Sequence, residues 1–315
     1  MRVLTVPAFA KINLTLRVLG VRDDGYHSVR TVLQSLALHD TLTFRAARGA
    51  FRIECDAPGC PIDRTNLVWR AADLLWLAAG RGGRPRDVVV HIEKRIPLEA
   101  GLGGGSSNAA AAIRALVALW RLDLTREQLH SIAAGLGADV PFFLEGGTAL
   151  GLDRGDLVFP LVDQPAVWVT LALPPFGVST KEAYGWFDED DPSTSSVPRV
   201  SSEPSRRASG RPRTRFDAWS LPAAEWGNDL EPPVTRRHPE IGAMTGDLRK
   251  AGAFHAAMSG SGSAVYGLFR TSDDARTAAR GLAGPGCRTI ATRTLSRKQF
   301  GRAFVNGRPS GGGAK

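Results

Sequence analysis

Apolar and polar residues alternate strictly after Ala10: Ile12, Leu14, Leu16 and Val18 fall on one side, and Lys11, Asn13, Thr15 and Arg17 on the other. A period of two marks a half-buried strand. Ala10–Leu16 is therefore expected to pair in a sheet, with Lys11 and Asn13 side by side on its polar face. Arg22–Tyr26 reads Arg-Asp-Asp-Gly-Tyr and predicts a turn. Thr41–Arg45, Phe51–Cys55 and Asp87–Glu93 are further strand candidates. Helical spacing appears in three places. Asn66–Ala79 carries apolar Leu67, Ala71, Leu74, Leu75 and Ala78 and stops at Gly80; Ser106–Trp120 is alanine-rich; Thr125–Leu136 opens with Thr125 and Gln128 at capping-box spacing and stops at Gly137.

The second half begins near Leu157. Strands are expected at Leu157–Val162 and Val167–Leu173, then a helix at Ser179–Phe187 whose Ser179 and Glu182 again have capping-box spacing. Residues 188–216 are rich in Ser, Pro and Arg and poor in large apolar side chains. Such a stretch buries too little surface to offset chain entropy, so a disordered insert is expected there. Helices return at Pro239–Lys250 and Ser272–Leu282, with a strand at Ala264–Phe269 between them, and Gly307–Lys315 is expected to be a disordered tail. Strands and helices mixed without regular βαβα alternation predict an α+β fold. The chain has 315 residues, enough for two cores. The division expected is 1–156 and 157–306, the latter carrying the insert 188–216, followed by the tail 307–315.

Composition narrows the classes. No apolar run approaches the ~18–20 residues of a membrane span, and Met1–Ala10 is too short in apolar residues for a signal peptide. A cytoplasmic protein without a membrane partner is the expectation. Cys55, Cys60 and Cys287 are odd in number and lack metal-ligand spacing, so reduced thiols are expected. The net charge of +9 raises a non-catalytic RNA-binding module as a reading. Its placement argues against that. Residues 192–216 hold six arginines against one glutamate, and residues 293–315 hold six basic residues and no acid. An insert and a tail thus carry the whole excess.

The densest chemical signal is Pro97-Leu98-Glu99-Ala100-Gly101-Leu102-Gly103-Gly104-Gly105-Ser106-Ser107-Asn108. Glycines admit positive φ and close approach, and a helix start offers free N–H groups and partial positive charge. Together they suit phosphate. No Gly-Lys-Ser/Thr follows, so this is not a Walker A loop. A second loop, Ser259-Gly260-Ser261-Gly262, precedes a strand; paired with the first it suggests two loops closing on one polyphosphate. Asp139 stands among apolar residues in Gly137-Ala138-Asp139-Val140-Pro141. It reads as a base toward an attacking hydroxyl or as a helix cap. Lys11 is its candidate partner, holding it ionised. Tyr26 and His27 follow the turn and suit stacking on a base and reading its edge.

These segments, in this order, resemble the GHMP kinases. Ala10-Lys11-Ile12-Asn13-Leu14 followed by Asp24-Gly25-Tyr26-His27 is similar to the GHMP family that phosphorylates 4-diphosphocytidyl-2-C-methyl-D-erythritol. The resemblance covers roughly residues 6–187 and 228–270. Phe9 and Ser263 depart from it, where proline is usual. It implies an N-terminal domain like ribosomal protein S5 domain 2, a ferredoxin-like C-terminal domain, and an active site between them. It also implies transfer of the ATP γ-phosphate to the 2-hydroxyl of a small-molecule substrate, with no nucleic acid partner, by a monomer or homodimer. By resemblance Asp139 and Lys11 are catalytic. Pro97, Gly101–Ser107, Asn66, Ser259, Gly260 and Gly262 hold ATP, with Asn66 near the adenine. Asn13, Tyr26, His27, Thr180 and Tyr184 hold the substrate, the two tyrosines as faces for its cytosine. Magnesium is expected on ATP, with Ser106 or Ser107 beside it and no dedicated protein ligand set. A homoserine or mevalonate-type kinase is the alternative.

Overall fold

The computed structural model describes residues 3–190 and 226–305. Elements run in the order β1 (Val3–Val21), β2 (His27–Ala50), β3 (Arg52–Cys55), α1 (Leu67–Ala78), β4 (Arg86–Glu93), α2 (Gly104–Trp120), α3 (Arg126–Leu136), α4 (Val140–Glu145), β5 (Thr148–Leu152), β6 (Leu157–Pro160), β7 (Trp168–Leu173) and α5 (Thr180–Asp190). They continue with β8 (Gly227–Asn228), α6 (Glu231–Arg237), α7 (Pro239–Lys250), β9 (His255–Met258), β10 (Val265–Phe269), α8 (Ser272–Leu282), β11 (Arg288–Arg293) and α9 (Arg297–Val305).

The strands form two sheets. One runs β3-β4-β2-β1-β8, with the β5–β6 hairpin attached to β2; the other runs β11-β7-β10-β9. Core side chains fall into layers. Helices α1–α4 bury Val68, Ala112, Leu116 and Phe142 against Leu33, Leu42 and Phe44 of the larger sheet. Ile12, Leu14 and Leu36 meet Val169, Leu171 and Tyr266 where the two sheets stack. Helices α5–α8 cover the outer face of the smaller sheet through Ala183, Val234, Leu248 and Ala275. The α+β class is as the pattern predicts. The turn at Arg22–Tyr26 closes with Arg22 N–H donating to Tyr26 O at 2.7 Å. Both expected capping boxes form, at Thr125–Gln128 and at Ser179–Glu182.

Four expectations change. The strand around Lys11 is buried on both faces rather than half-buried, because α2, α4 and the loop after β9 cover its polar side. β6 pairs with β5 in the larger sheet, so the chain crosses between sheets after Pro160 rather than at Leu157. Helix α5 continues through Asp190, so 188–190 are helical; the rest of the expected insert, and the tail 307–315, lie outside the described residues. Arg293, Arg297, Lys298 and Arg302 belong to β11 and α9, so part of the basic excess sits on the folded body.

The α9 assignment has a clear cause. Phe300 is buried and packs on Phe9 at 5.2 Å between ring centroids, with Phe304 at 5.2 Å from Phe300. Gly146 leaves room for it, since a Cβ there would lie 2.3 Å from the Phe300 ring. This clasp fastens the last helix to the first strand. Phe300→Ala should lower the unfolding free energy by about 3–5 kcal/mol in urea titration. A loss below about 1 kcal/mol would mean that α9 is a loose appendage.

Candidate active site

The β1–β2 register slips between Phe9 and Lys11 and again between Asn13 and Thr15. Bulges re-aim side chains, and these two bracket Lys11–Asn13. Lys11 is 3% exposed. A buried ammonium is costly unless it is paired and hydrogen-bonded. Its Nζ lies 3.3 Å from Asp139 Oδ2 and donates to Asn13 Oδ1 at 2.6 Å. Asn13 Nδ2 donates to Thr31 Oγ1 at 2.7 Å, and that hydroxyl donates to Thr15 O at 2.7 Å. This relay fixes the Asn13 amide with its carbonyl toward the lysine.

Asp139 occupies the N-cap position of α4 but makes no capping bond. The helix-cap reading therefore fails. Pro141 starts the helix, while buried Phe142 and Phe143 anchor it. The carboxylate faces Lys11 on one side and remains 32% exposed. It is thus held by a buried cation yet open to an incoming hydroxyl.

Above Lys11 lie the two glycine loops. Lys11 N–H donates to Leu102 O at 3.0 Å, so Leu102 contributes its carbonyl while its side chain is buried. Gly101 and Gly103 both have φ +70°. Gly104 and Gly105 instead begin α2 in ordinary helical conformation, so positive φ does not explain them. Gly104 answers to crowding: a Cβ there would stand 3.0 Å from Ile96 Cγ2 and 3.1 Å from Lys94 Nζ. Gly103 is the N-cap, without a side-chain capping bond and without an acidic residue in the first turn. The leading N–H groups of α2 thus carry no side-chain cap, an arrangement that suits an anion. Ser106 is half-buried at this end, Ser107 buried, and Gly105 exposed. Pro97 is half-buried at the loop's start.

The second loop packs directly on the first. A Cβ on Gly101 would stand 2.0 Å from Ser259 O, and Ser259 Oγ donates to Gly101 O at 3.0 Å. Gly260 takes φ +59°, and its Cβ position lies 3.2 Å from Lys11 Nζ. Gly262 N–H donates to Ser259 O at 3.0 Å. Two residues that the sequence did not flag hold this arrangement. Asn228 Nδ2 donates to Gly260 O at 2.7 Å and Met258 O at 3.0 Å. Tyr266 Oη donates to Asn13 O at 2.9 Å. Neither belongs to a local pattern, because each acts on backbone far away in sequence.

Helix α5 closes the other side. Thr180 Oγ1 lies 3.2 Å from Ser261 Oγ. The Tyr184 ring stacks on His27 at 4.6 Å and 26°. Burial raises its phenol, with the Asp139 charge adding to the effect. One face of Tyr184 is therefore taken by His27. Tyr26 stands 59% exposed, with the Arg154 guanidinium 5.5 Å over its ring. Asn66 caps α1 by accepting from Val68 N–H at 2.9 Å; the next residue, Leu67, lies 3.9 Å from the Gly105 Cβ position. The nearby Cys60 thiol is pushed up to about 12, mainly by burial, which keeps it unreactive. A cavity of about 490 Å³ lies behind the second loop, lined by Asn228, Glu231, Arg249 and His255. Its Glu231 accepts from Met258 N–H and its Arg249 donates to Ala256 O, so both side chains are engaged by β9 backbone.

Residues 66–147 match the GHMP kinases N terminal domain and residues 216–286 the GHMP kinases C terminal domain. The 4-diphosphocytidyl-2-C-methyl-D-erythritol kinase of Moorella thermoacetica is 43% identical, covering 94% of this chain and 100% of that protein. The enzyme so named from Gloeobacter violaceus is 40% identical over 93% of this chain and 95% of its own length. The chain belongs to this kinase family. A crystal structure of 4-(cytidine 5'-diphospho)-2C-methyl-D-erythritol kinase superposes with TM-score 0.71 at 34% identity, over 92% of this chain and 98% of that one. A homoserine kinase from Cytophaga hutchinsonii gives 0.62 at 17% identity, over 95% of this chain and 96% of that one; it shares the GHMP kinase fold. Among the described residues no helix is long and apolar enough to cross a membrane.

Two outcomes follow from the geometry. Asp139→Asn should lower kcat by ~10²–10⁴ while ATP affinity stays nearly intact; a near-normal kcat would remove the carboxylate from the chemistry. Gly101→Ala combines left-handed φ with overlap onto Ser259 O, and should cost about 1–3 kcal/mol of stability together with ATP affinity. Thermal unfolding and calorimetry read both effects, and unchanged values would mean that the two loops do not need this contact.

Proposed function

We infer that this family member transfers the γ-phosphate of ATP to the 2-hydroxyl of 4-diphosphocytidyl-2-C-methyl-D-erythritol, giving the 2-phosphate and ADP, within non-mevalonate isoprenoid synthesis. The observation that carries the reading is the Lys11–Asp139 pair, 3.3 Å apart, directly beneath two glycine loops. Asp139 accepts the hydroxyl proton as the oxygen attacks phosphorus. Lys11 fixes the carboxylate in place and offsets charge on the phosphoryl group in flight. Asn13 orients Lys11 and keeps one amide N–H for the substrate near the reacting oxygen.

The α2 N-terminus and the Gly101–Ser107 backbone bind the ATP phosphates, the Ser259–Gly262 loop closes over them, and Pro97 and Asn66 lie toward the adenine. Among the described residues no cluster of three or more His, Cys, Asp or Glu stands ready for a metal. The Ser106 and Ser107 hydroxyls at the α2 start are hard oxygen donors of the kind Mg²⁺ takes. They fit a metal carried by the nucleotide, which shields phosphate charge. His27 and Tyr26 receive the cytosine, with Thr180 and Tyr184 lining that end. Consumption of ATP and of a charged, nucleotide-linked polyol suits the cytoplasm.

An ADP-release assay with the cytidylyl substrate, set against mevalonate and homoserine, tests the reading; turnover only with another alcohol would overturn it. Tyr26→Ala and His27→Ala should each raise KM for the cytidylyl substrate by ~5–100-fold, the worth of ~1–3 kcal/mol per stacked base, and keep ATP affinity. If neither changes that KM, the base does not bind at this end.

A further inference from the structure

Asp188 lies on the last turns of α5 and faces His27. Its Oδ1 is 2.7 Å from His27 Nε2. The His27 side chain is 9% exposed and that of Asp188 44%. Tyr184 covers one face of the imidazole, and the Phe187 ring meets it edge-on at 6.4 Å. Three residues of one helix therefore fix one ring. A carboxylate only accepts, so Nε2 is the donor of this bond. A neutral imidazole then carries its lone pair on Nδ1. No hydrogen bond to Nδ1 exists among the described residues, so this acceptor remains free.

We propose that Asp188 is a positioning residue that sets which base His27 accepts, by holding the tautomer in which Nδ1 is an acceptor. This rests on the reading of His27 as the base-facing residue. Cytosine presents an amine donor at the position where uracil presents a carbonyl acceptor. An acceptor nitrogen pairs with the first and opposes the second, and a buried polar pair left unmade is strongly rejected. The discrimination thus lies in a carboxylate that does not touch the base.

The test compares wild type with Asp188→Asn, Asp188→Ala and Asp188→Glu, using the diphosphocytidyl and diphosphouridyl forms of the methylerythritol substrate. The ratio of their kcat/KM values should fall ~10-fold in the Asn and Ala variants. The change should arise in KM for the cytidylyl form, with kcat and KM for ATP held within about two-fold. Asp188→Glu should restore most of the ratio. Imidazole ¹⁵N spectra should show His27 as one Nε2–H tautomer in wild type and as a mixture in Asp188→Asn. An unchanged ratio, or an equal loss for both bases with KM for ATP moving as well, would overturn the proposal. His27→Ala separates the layers. If it raises KM for the cytidylyl form while the Asp188 variants keep the ratio, only the tautomer role falls. If it changes nothing, the base-facing reading falls with it.

Discussion

A lysine ammonium placed inside a protein must be met by acceptors, and this molecule is organised around meeting one. Lys11 is 3% exposed on β1, which lies between β2 and β8 in the larger sheet. Two bulges bring it to Asn13, α4 presents Asp139, and two loops whose glycines leave space for each other's backbone close above it. Removing Asp139 would leave this buried cation with the Asn13 amide oxygen but no counter-charge, a penalty of several kcal/mol. The same arrangement sets a carboxylate beside the two glycine loops. In the proposed reaction the demands of folding and of phosphoryl transfer thus coincide at one side chain.

Much of this was legible in the sequence, for local reasons. The alternation around Lys11, the glycine cluster at the start of a helix, and an acid among apolar residues each follow from neighbours in the chain. What the sequence hid is non-local. Alternation put Lys11 and Asn13 on a polar face, and nothing in the neighbouring sequence indicates that Leu102 and Ser259 cover them. Asn228 resembles any loop asparagine until its amide is seen on Gly260 O. Phe300 and Phe304 sit in a basic, polar stretch, and their burial depends on Phe9 nearly three hundred residues earlier. The polar composition after Phe187 masked the last turn of α5, and with it Asp188.

Helix α5 is the element on which the two ends of the site depend together. Thr180 contacts the second glycine loop, Tyr184 stacks on His27, and Asp188 holds His27. A rigid helix carrying all three ties the position of His27 to that of the second glycine loop. On the proposed function, binding energy gathered at the base is thereby available to orient the hydroxyl, which is how remote contacts serve a reaction.

The distance in sequence between Lys11 and its covering groups has a consequence for how the protein is made. Asn13 meets Ser259 across 246 residues and Tyr266 across 253, and α9 clasps β1 later still. Chains emerge from the ribosome N-terminus first, so β1 is synthesised long before the Ser259–Gly262 loop can pack over it. The contacts around Asn13 are thus completed only once Tyr266 has been made. A translation product interrupted before Ser259 would carry the first glycine loop without the second that packs on it.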